Sequence, residues 1–291
     1  MDADLPYTSK PARKRRSRRM KKVNILQILW NAFAPWLMFC ILYCIISFRF
    51  RYWYSSYAWG AVLLGYCAVI QLFLRLRHLR AERRDEVWHY YAVISMLVFV
   101  SAAAVLGDVN FWYNMRGFYD NETLNTYPHV DPSTVSGGAM MDAGRAYFSA
   151  GVHVEPKLSI GFKNVRTYCV APIVKGQIKL ESYDFWAVGV DCCTGATADF
   201  RCGQYNNPHA RSGLRLMSDT FRDQFQLAVQ QAAATYKIKA QHPLFFSWLE
   251  DPVAEMVAYR TQGYKMFVLS SLTAFAVNLF SIFFTMVLFQ R

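Results

Sequence analysis

No Asp, Glu, Lys or Arg falls inside any of four long apolar runs, Ile25 to Phe48, Tyr57 to Leu74, Tyr90 to Leu106 and Met266 to Phe289. Charges within such runs mark ion and proton pathways, so their absence argues against a self-contained transporter. The chain also lacks a glycine-rich nucleotide loop, an HExxH pair, paired CxxC motifs and a GxSxG elbow. The residue sets that bring phosphate binding, zinc chemistry or acyl transfer are therefore missing, and Gly137-Gly138 alone is too little to cradle a phosphate. Acidic residues are few, 20 against 32 Lys and Arg, but the excess is not placed as a nucleic-acid binder would place it. Residues 1–22 carry nine basic residues against two Asp, 23–106 seven against three, and 107–265 fifteen against fifteen. The long central stretch is neutral, so no nucleic acid is expected as a partner.

What the chain does have is apolar length. Each run approaches the ~20 residues that a helix needs to cross ~30 Å of hydrocarbon, within a composition that is 54% hydrophobic and 16% aromatic. The expected fold is that of a membrane protein, an α-helical four-span bundle with a disulfide-containing α+β extramembrane domain inserted between spans 3 and 4. The boundaries follow from the runs. Residues 1–22 form a disordered basic cytoplasmic tail, 23–106 three transmembrane helices, 107–265 the extracellular or lumenal domain, and 266–291 the fourth transmembrane helix and a short tail.

Orientation comes from the flanks. Arg13, Lys14, Arg15, Arg16, Arg18, Arg19, Lys21 and Lys22 precede the first run, and five Arg separate the second from the third, whereas only Arg49 and Arg51 separate the first from the second. Short basic loops stay cytoplasmic, which puts both chain ends inside and residues 107–265 outside. The basic tail reads as a topology determinant attracted to anionic lipid head groups, with a sorting signal and nuclear import as alternatives. Asn121-Glu-Thr123 is a glycosylation sequon usable only on the outer side. Pro35 is expected to kink the first span, and Cys40 and Cys44, one turn apart, read as buried thiols.

The central stretch is too apolar for a linker and long enough to bury its own core. Tyr147 to Val154, Val165 to Val174 and Ile178 to Val190 are rich in β-branched and aromatic residues, and Lys175-Gly176-Gln177 predicts a hairpin between the last two. In the third run Phe185 and Ala187 share one face and Trp186 and Val188 the other, so both faces should be covered. Pro128 to Asp142 reads as irregular loop. Residues 218–236 predict a helix with Phe221, Phe225, Ala228, Val229, Ala232 and Tyr236 on one face, capped by Ser218 or Asp219 and packed across the sheet. Asp251-Pro252 starts a helix that should run unbroken through the fourth span.

Cys169, Cys192, Cys193 and Cys202 are an even set of cysteines on the side expected to be oxidising, and two disulfides are expected. A bond between the adjacent Cys192 and Cys193 needs a strained peptide, which leaves Cys169 and Cys202 each paired with one of them. Free thiols, or a zinc site from Cys192, Cys193, Cys202 and His209, are the alternatives. His153 and Glu155 share a strand face, and His129 with Asp131 and His242 with Asp251 are conceivable acid and base pairs. No catalytic set, cofactor or metal is expected.

Four spans with both ends inside, a short first and a long last outer loop, and the run Cys192-Cys193-Thr194-Gly195 resemble the tetraspanin plan, whose motif is Cys-Cys-Gly without the inserted residue. The Pro-x-Ser-Cys element and acidic span residues of that family are missing here, and the predicted sheet differs from its helical outer domain. Residues 144–255 are also similar to uncharacterised membrane proteins of dinoflagellate-type algae, which implies no activity. The functional expectation is a domain that binds or scaffolds other proteins, or forms a homo-oligomer. The alternatives are an accessory subunit of a channel or transporter, and a membrane-tethered hydrolase or transferase using His129, His153 or His242.

Overall fold

The computed structural model describes residues 25–79, 86–195, 197–217 and 219–289. The eight tail residues from Arg13 to Lys22 named above, and Ser218, lie outside them. Four of the described helices are long and apolar enough to cross a membrane: Ile25–Ser47, Ser55–His78, Trp88–Glu122 and Pro252–Leu288.

Helix α1 (Ile25–Ser47) carries Pro35 in its interior. Proline has no N–H to offer the carbonyl four residues earlier, which is that of Asn31. The orphaned group is taken up from another helix: Asn278 Nδ2 donates to Asn31 O at 3.1 Å and to Ala32 O at 2.8 Å. Its Oδ1 accepts from Tyr91 Oη at 2.8 Å, so one buried amide joins α1 to α4 (Glu86–Asn110) and α7 (Pro252–Phe289). Phe39, Leu42, Tyr43 and Ile46 repeat at helical spacing along the buried side of α1 and pack with Val100, Ala103 and Ala104 of α4. The approach is close because the facing residues are small. A Cβ at Gly107 would stand 3.0 Å from Ile46 Cγ2, and one at Gly65, in α3 (Ser55–Leu79), 3.1 Å from Leu42 Cδ1.

The third apolar helix does not stop near Leu106 as its hydropathy suggests. It continues through one π-helical turn, Phe111–Met115, into α5 (Arg116–Glu122). The polar residues that read as an exit are satisfied from other helices. Arg51, in α2 (Arg49–Trp53), holds Asp108 at 2.8 Å, and buried Asn110 donates to Ser47 Oγ and, at 3.1 Å, to Gly263 O. The π turn inserts a residue and re-phases the helix, so that Phe111, Met115, Phe118 and Tyr119 gather with Met256 of α7 and Leu214 of the sheet. Helix α7 begins as its sequence predicts. Asp251 Oδ1 accepts from Val253 N and Ala254 N at 2.9 and 3.1 Å, Pro252 opens the helix, and it runs 38 residues without a break.

The domain between these stems is built on an eight-stranded mixed sheet. Its strands are β1 (Asn125–Val130), β2 (Ala143–Phe148), β3 (Val152–Val154), β4 (Ile160–Asn164), β5 (Arg166–Lys175), β6 (Phe185–Val190), β7 (Ser212–Arg215) and β8 (Leu244–Leu249). The order is β1-β2-β7-β8-β6-β5, with β3 and β4 both on the outer edge of β5. Both faces are covered, as the alternation in β6 requires. Phe185 and Ala187 join Phe148, Ile173, Phe246 and Trp248 under the loops, while Trp186 and Val188 lie beneath Phe225, Ala228, Val229 and Ala232 of α6 (Asp219–Tyr236).

Three sequence expectations shift in detail, and one strand has no counterpart among them. The run from Tyr147 breaks at Gly151, whose φ of +83° turns the chain from β2 into β3. The β5–β6 hairpin forms, but residues 176–184 loop out of it and the strand starts only at Phe185. Residues 125–130 form β1 despite Pro128, because β1 pairs along one edge only. The aromatic segment after His242 becomes β8, a central strand parallel to β6.

The clamp on α1 is testable by a double-mutant cycle in detergent. Asn278→Leu should lower stability by about 1 kcal/mol more in the Pro35 protein than in Pro35→Ala, where the helix supplies its own donor. Additive melting shifts would show that the amide does not serve the proline break.

Candidate functional site

The four cysteines of the domain form the bonds Cys169–Cys193 and Cys192–Cys202. Room for them is made by two glycines. A Cβ at Gly189 would stand 2.6 Å from Cys192 Sγ, and one at Gly161 2.7 Å from Cys193 Sγ. Asp191 stands between sheet and knot with a φ of +58°. Its carboxylate accepts from Thr167 N and Arg166 Nε, both at 2.8 Å, and these bonds hold its pKa below the usual range. Three of the sulfurs, from Cys169, Cys192 and Cys202, lie within 4.8 Å of one another. As disulfides they have no thiolate for zinc, so the knot is structural.

Asp184, which the sequence reading did not single out, is 3% exposed and tied to three segments. Its carboxylate accepts from Gly137 N at 2.8 Å, Ser182 Oγ at 2.6 Å, Gln241 N at 3.1 Å and His242 N at 3.2 Å. Its carbonyl takes Leu244 N at 2.7 Å. Burial alone would raise its pKa; the hydrogen bonds outweigh burial and hold the pKa down. Gly137 is required at this point, because a Cβ there would collide with His242 O.

The proposed acid and base pairs meet different fates. Asp131 is engaged by Lys175 and Ser133, and the lysine bond is the main reason its pKa falls to about 2. Asp251 is consumed in capping α7, and His242 gives its backbone N–H to Asp184. Only His153 and Glu155 come together, 3.9 Å apart and open to solvent. Asn121 is 5% exposed and its Nδ2 donates to Gly117 O at 3.1 Å, so the nitrogen that a glycan would modify faces inward along α5. Cys40 is half-buried, whereas Cys44 and Cys67 face outward from the bundle.

An open concavity of the domain lies between β3 and the loop 203–210, with a volume of about 360 Å3. Ala210 and Trp248 are its buried apolar floor, and His153, Tyr205, Asn206 and Arg211 stand around it. The loop is pinned and the cleft preformed. Gln204 N donates to Trp248 O at 3.0 Å, Asn207 Nδ2 to Glu250 at 2.9 Å, and Gly203, with φ +58°, passes so close to Trp248 O that a Cβ would meet it at 2.5 Å. β3 pairs with β5 along one edge only, and β3 borders the cleft. Such a site can seat an apolar side chain, hydrogen-bond its surroundings and offer a cation at Arg211. Neither Arg211 nor the buried Arg215, whose guanidinium lies 5.5 Å over Phe246, carries a sequence signal. They are ordinary arginines until the fold places them. Burial, with Arg222 nearby, pushes the Arg215 pKa down to about 10.

Comparison of the chain with protein-family models, with curated proteins and with solved structures finds no match.

The Asp184 tie sets a pH dependence. A carboxyl depressed in the folded state stabilises above its unfolded value of ~3.9, and that stability is lost as pH falls through the folded value. Thermal stability should therefore drop below about pH 4. Asp184→Asn should cost about 2–3 kcal/mol at neutral pH, because it leaves donors unmet, and should flatten the acid limb. An unchanged acid limb would place the responsible groups elsewhere.

Proposed function

We propose that this is a multi-pass membrane protein that docks another protein on a disulfide-tied domain held outside the cytosol. The bundle exposes Leu63, Leu64, Phe280 and Phe283, a surface suited to lipid rather than water. The basic flanks favour cytoplasmic ends, and the disulfides suit an oxidising compartment.

The observation that carries the reading is the way the domain is mounted. Helix α7 and the α4–α5 stem run from the apolar bundle to the sheet as unbroken helices. They are locked where Gly263 meets Met115, a crossing so close that a Cβ at Gly263 would collide with Met115 Sδ. A domain mounted on two rigid stems presents its cleft in one orientation, as docking requires. At the β4–β5 turn, Val165 is 99% exposed with a φ of +61°. Exposure and left-handed backbone both disfavour a β-branched residue, and strain of this kind collects at binding surfaces.

Two measurements test this. A membrane-impermeant amine label on sealed, oriented vesicles should reach Lys237 and miss Lys10; the reverse pattern inverts the topology. Cross-linking in native membranes followed by affinity capture of the full chain should retain a partner that Arg211→Glu and Val165→Asn release. The second variant should also be more stable by about 1 kcal/mol. Retention no better than from an untagged control would end the docking reading.

A further inference from the structure

At the end of the bundle away from the sheet, α1, α3 and α4 do not close on one another. They leave a groove of about 730 Å3 lined by Leu26, Trp30 and Phe33 of α1, Leu72 and Leu76 of α3, and Ala92 of α4, a volume within the range of sites for small amphiphiles. Leu26, Trp30 and Phe33 are exposed, so the groove opens sideways from the bundle.

Its lining is graded. Leu26, Leu76 and Trp88 stand at the helix ends, and Phe33, Leu72 and Ala92 stand deeper; from Leu26 to Phe33 is about 10 Å at ~1.5 Å per residue. Trp30 and Trp88 mark the level where indoles settle at a membrane boundary. Gln27, half-buried on the α1 wall, offers an amide donor near the same level. Arg75 and Arg77 lie exposed in the last turns of α3 beside Leu76, with the Arg77 guanidinium 5.9 Å over the Phe73 ring. The sequence around this end is cationic as well: residues 1–22 carry nine basic residues against two acids, and 75–86 five against three.

From the apolar lateral groove, the indole level and the exposed arginines that flank Leu76 on α3, we infer that this groove holds one anionic glycerophospholipid. An acyl chain lies along Leu72 and Phe33, the ester region is at the level of Gln27, and the phosphate faces Arg75 and Arg77. A neutral lipid fills the apolar part equally well but forgoes the cations, so selectivity belongs to the arginines and residence to the groove. The inference rests on the four helices crossing a bilayer.

The test uses the full chain purified in mild detergent and read by native mass spectrometry against phosphatidylglycerol and phosphatidylcholine at equal concentration. The wild type should retain a single phosphatidylglycerol in clear preference to phosphatidylcholine. Arg75→Gln with Arg77→Gln should reduce that preference by roughly thirtyfold. Ala92→Phe, which fills the floor, should abolish retention of either lipid, and Leu76→Trp at the mouth guards against Ala92→Phe simply misfolding. Equal retention of the two lipids by the wild type, or phosphatidylglycerol retention unchanged in both groove variants, would overturn the assignment. Carbonate extraction of membranes separates the two levels of the argument. Wild type released by carbonate defeats the membrane reading itself, whereas a carbonate-resistant chain without lipid selectivity defeats only this site.

Discussion

Asn110 holds three helices together at the level where the sheet domain begins. Its amide reaches Ser47 at the end of α1 and Gly263 in α7 from within α4, and its Oδ1 accepts from Asn114 at 2.8 Å. A buried amide that loses its partners costs more than the bonds gain, so the three helices are bound to one relative position. Beside it, Arg51 pairs with Asp108 while its guanidinium lies 4.8 Å from the Trp59 ring and 5.3 Å from that of Phe111. Removing Asp108 would leave the buried Arg51 guanidinium uncompensated. Everything beyond this joint inherits its orientation, because both stems continue as helices from it.

The domain uses the same device on a smaller scale. A mixed sheet with both faces covered has loops that must cross its ends, and these are fastened by polar groups rather than by more core. Asp184 ties the 137–140 segment to the starts of β6 and β8. Asp191 ties β5 to the cysteine knot, and Asn207 with Gln204 ties the cleft loop to the end of β8. Each is a short acidic or amide side chain that accepts or gives two or more bonds, which explains why this neutral domain spends its carboxylates on its own backbone.

Periodicity made part of this readable in advance. The α6 face, the alternation in β6 and the cap at Asp251 are local signals, and the cysteine partners were narrowed by the cost of a vicinal bridge. What stayed hidden depends on distant partners. β8 is apolar on both faces, so it carries no alternation to betray it. β1 contains a proline that only an edge position tolerates. The third helix continues past Leu106 because Asp108 and Asn110, which read as a polar exit, are answered by Arg51, Ser47 and Gly263 from elsewhere in the chain. The carboxylates of Asp131 and Asp251 looked like possible acids, but their lone pairs are committed to Lys175, Ser133 and a helix start. The cleft was unreadable for the same reason, since its floor and walls come from three separate stretches of sequence.

The bundle's charged pair and its clustered amide bonds sit near its two ends, and this placement follows from what burial costs. At the sheet end is a charged pair, partly open at Asp108 and backed by aromatic rings. At the far end the Asn278 amide, with the hydroxyls of Tyr91 and Ser281, meets the backbone carbonyls of Asn31 and Ala32 and so answers the break at Pro35. Between them Phe39, Leu42, Val100 and Ala103 pack together, and the polar contacts include single bonds, Trp36 Nε1 to Ser271 O and Tyr66 with Ser101, each at 3.0 Å. A full charge is tolerable only where solvent or a partner relieves its desolvation, whereas an amide survives deeper if every bond is met. The ends therefore fix helix position through directional bonds, and the middle supplies mainly close packing. This division lets an entirely uncharged set of apolar runs specify one arrangement of helices rather than several.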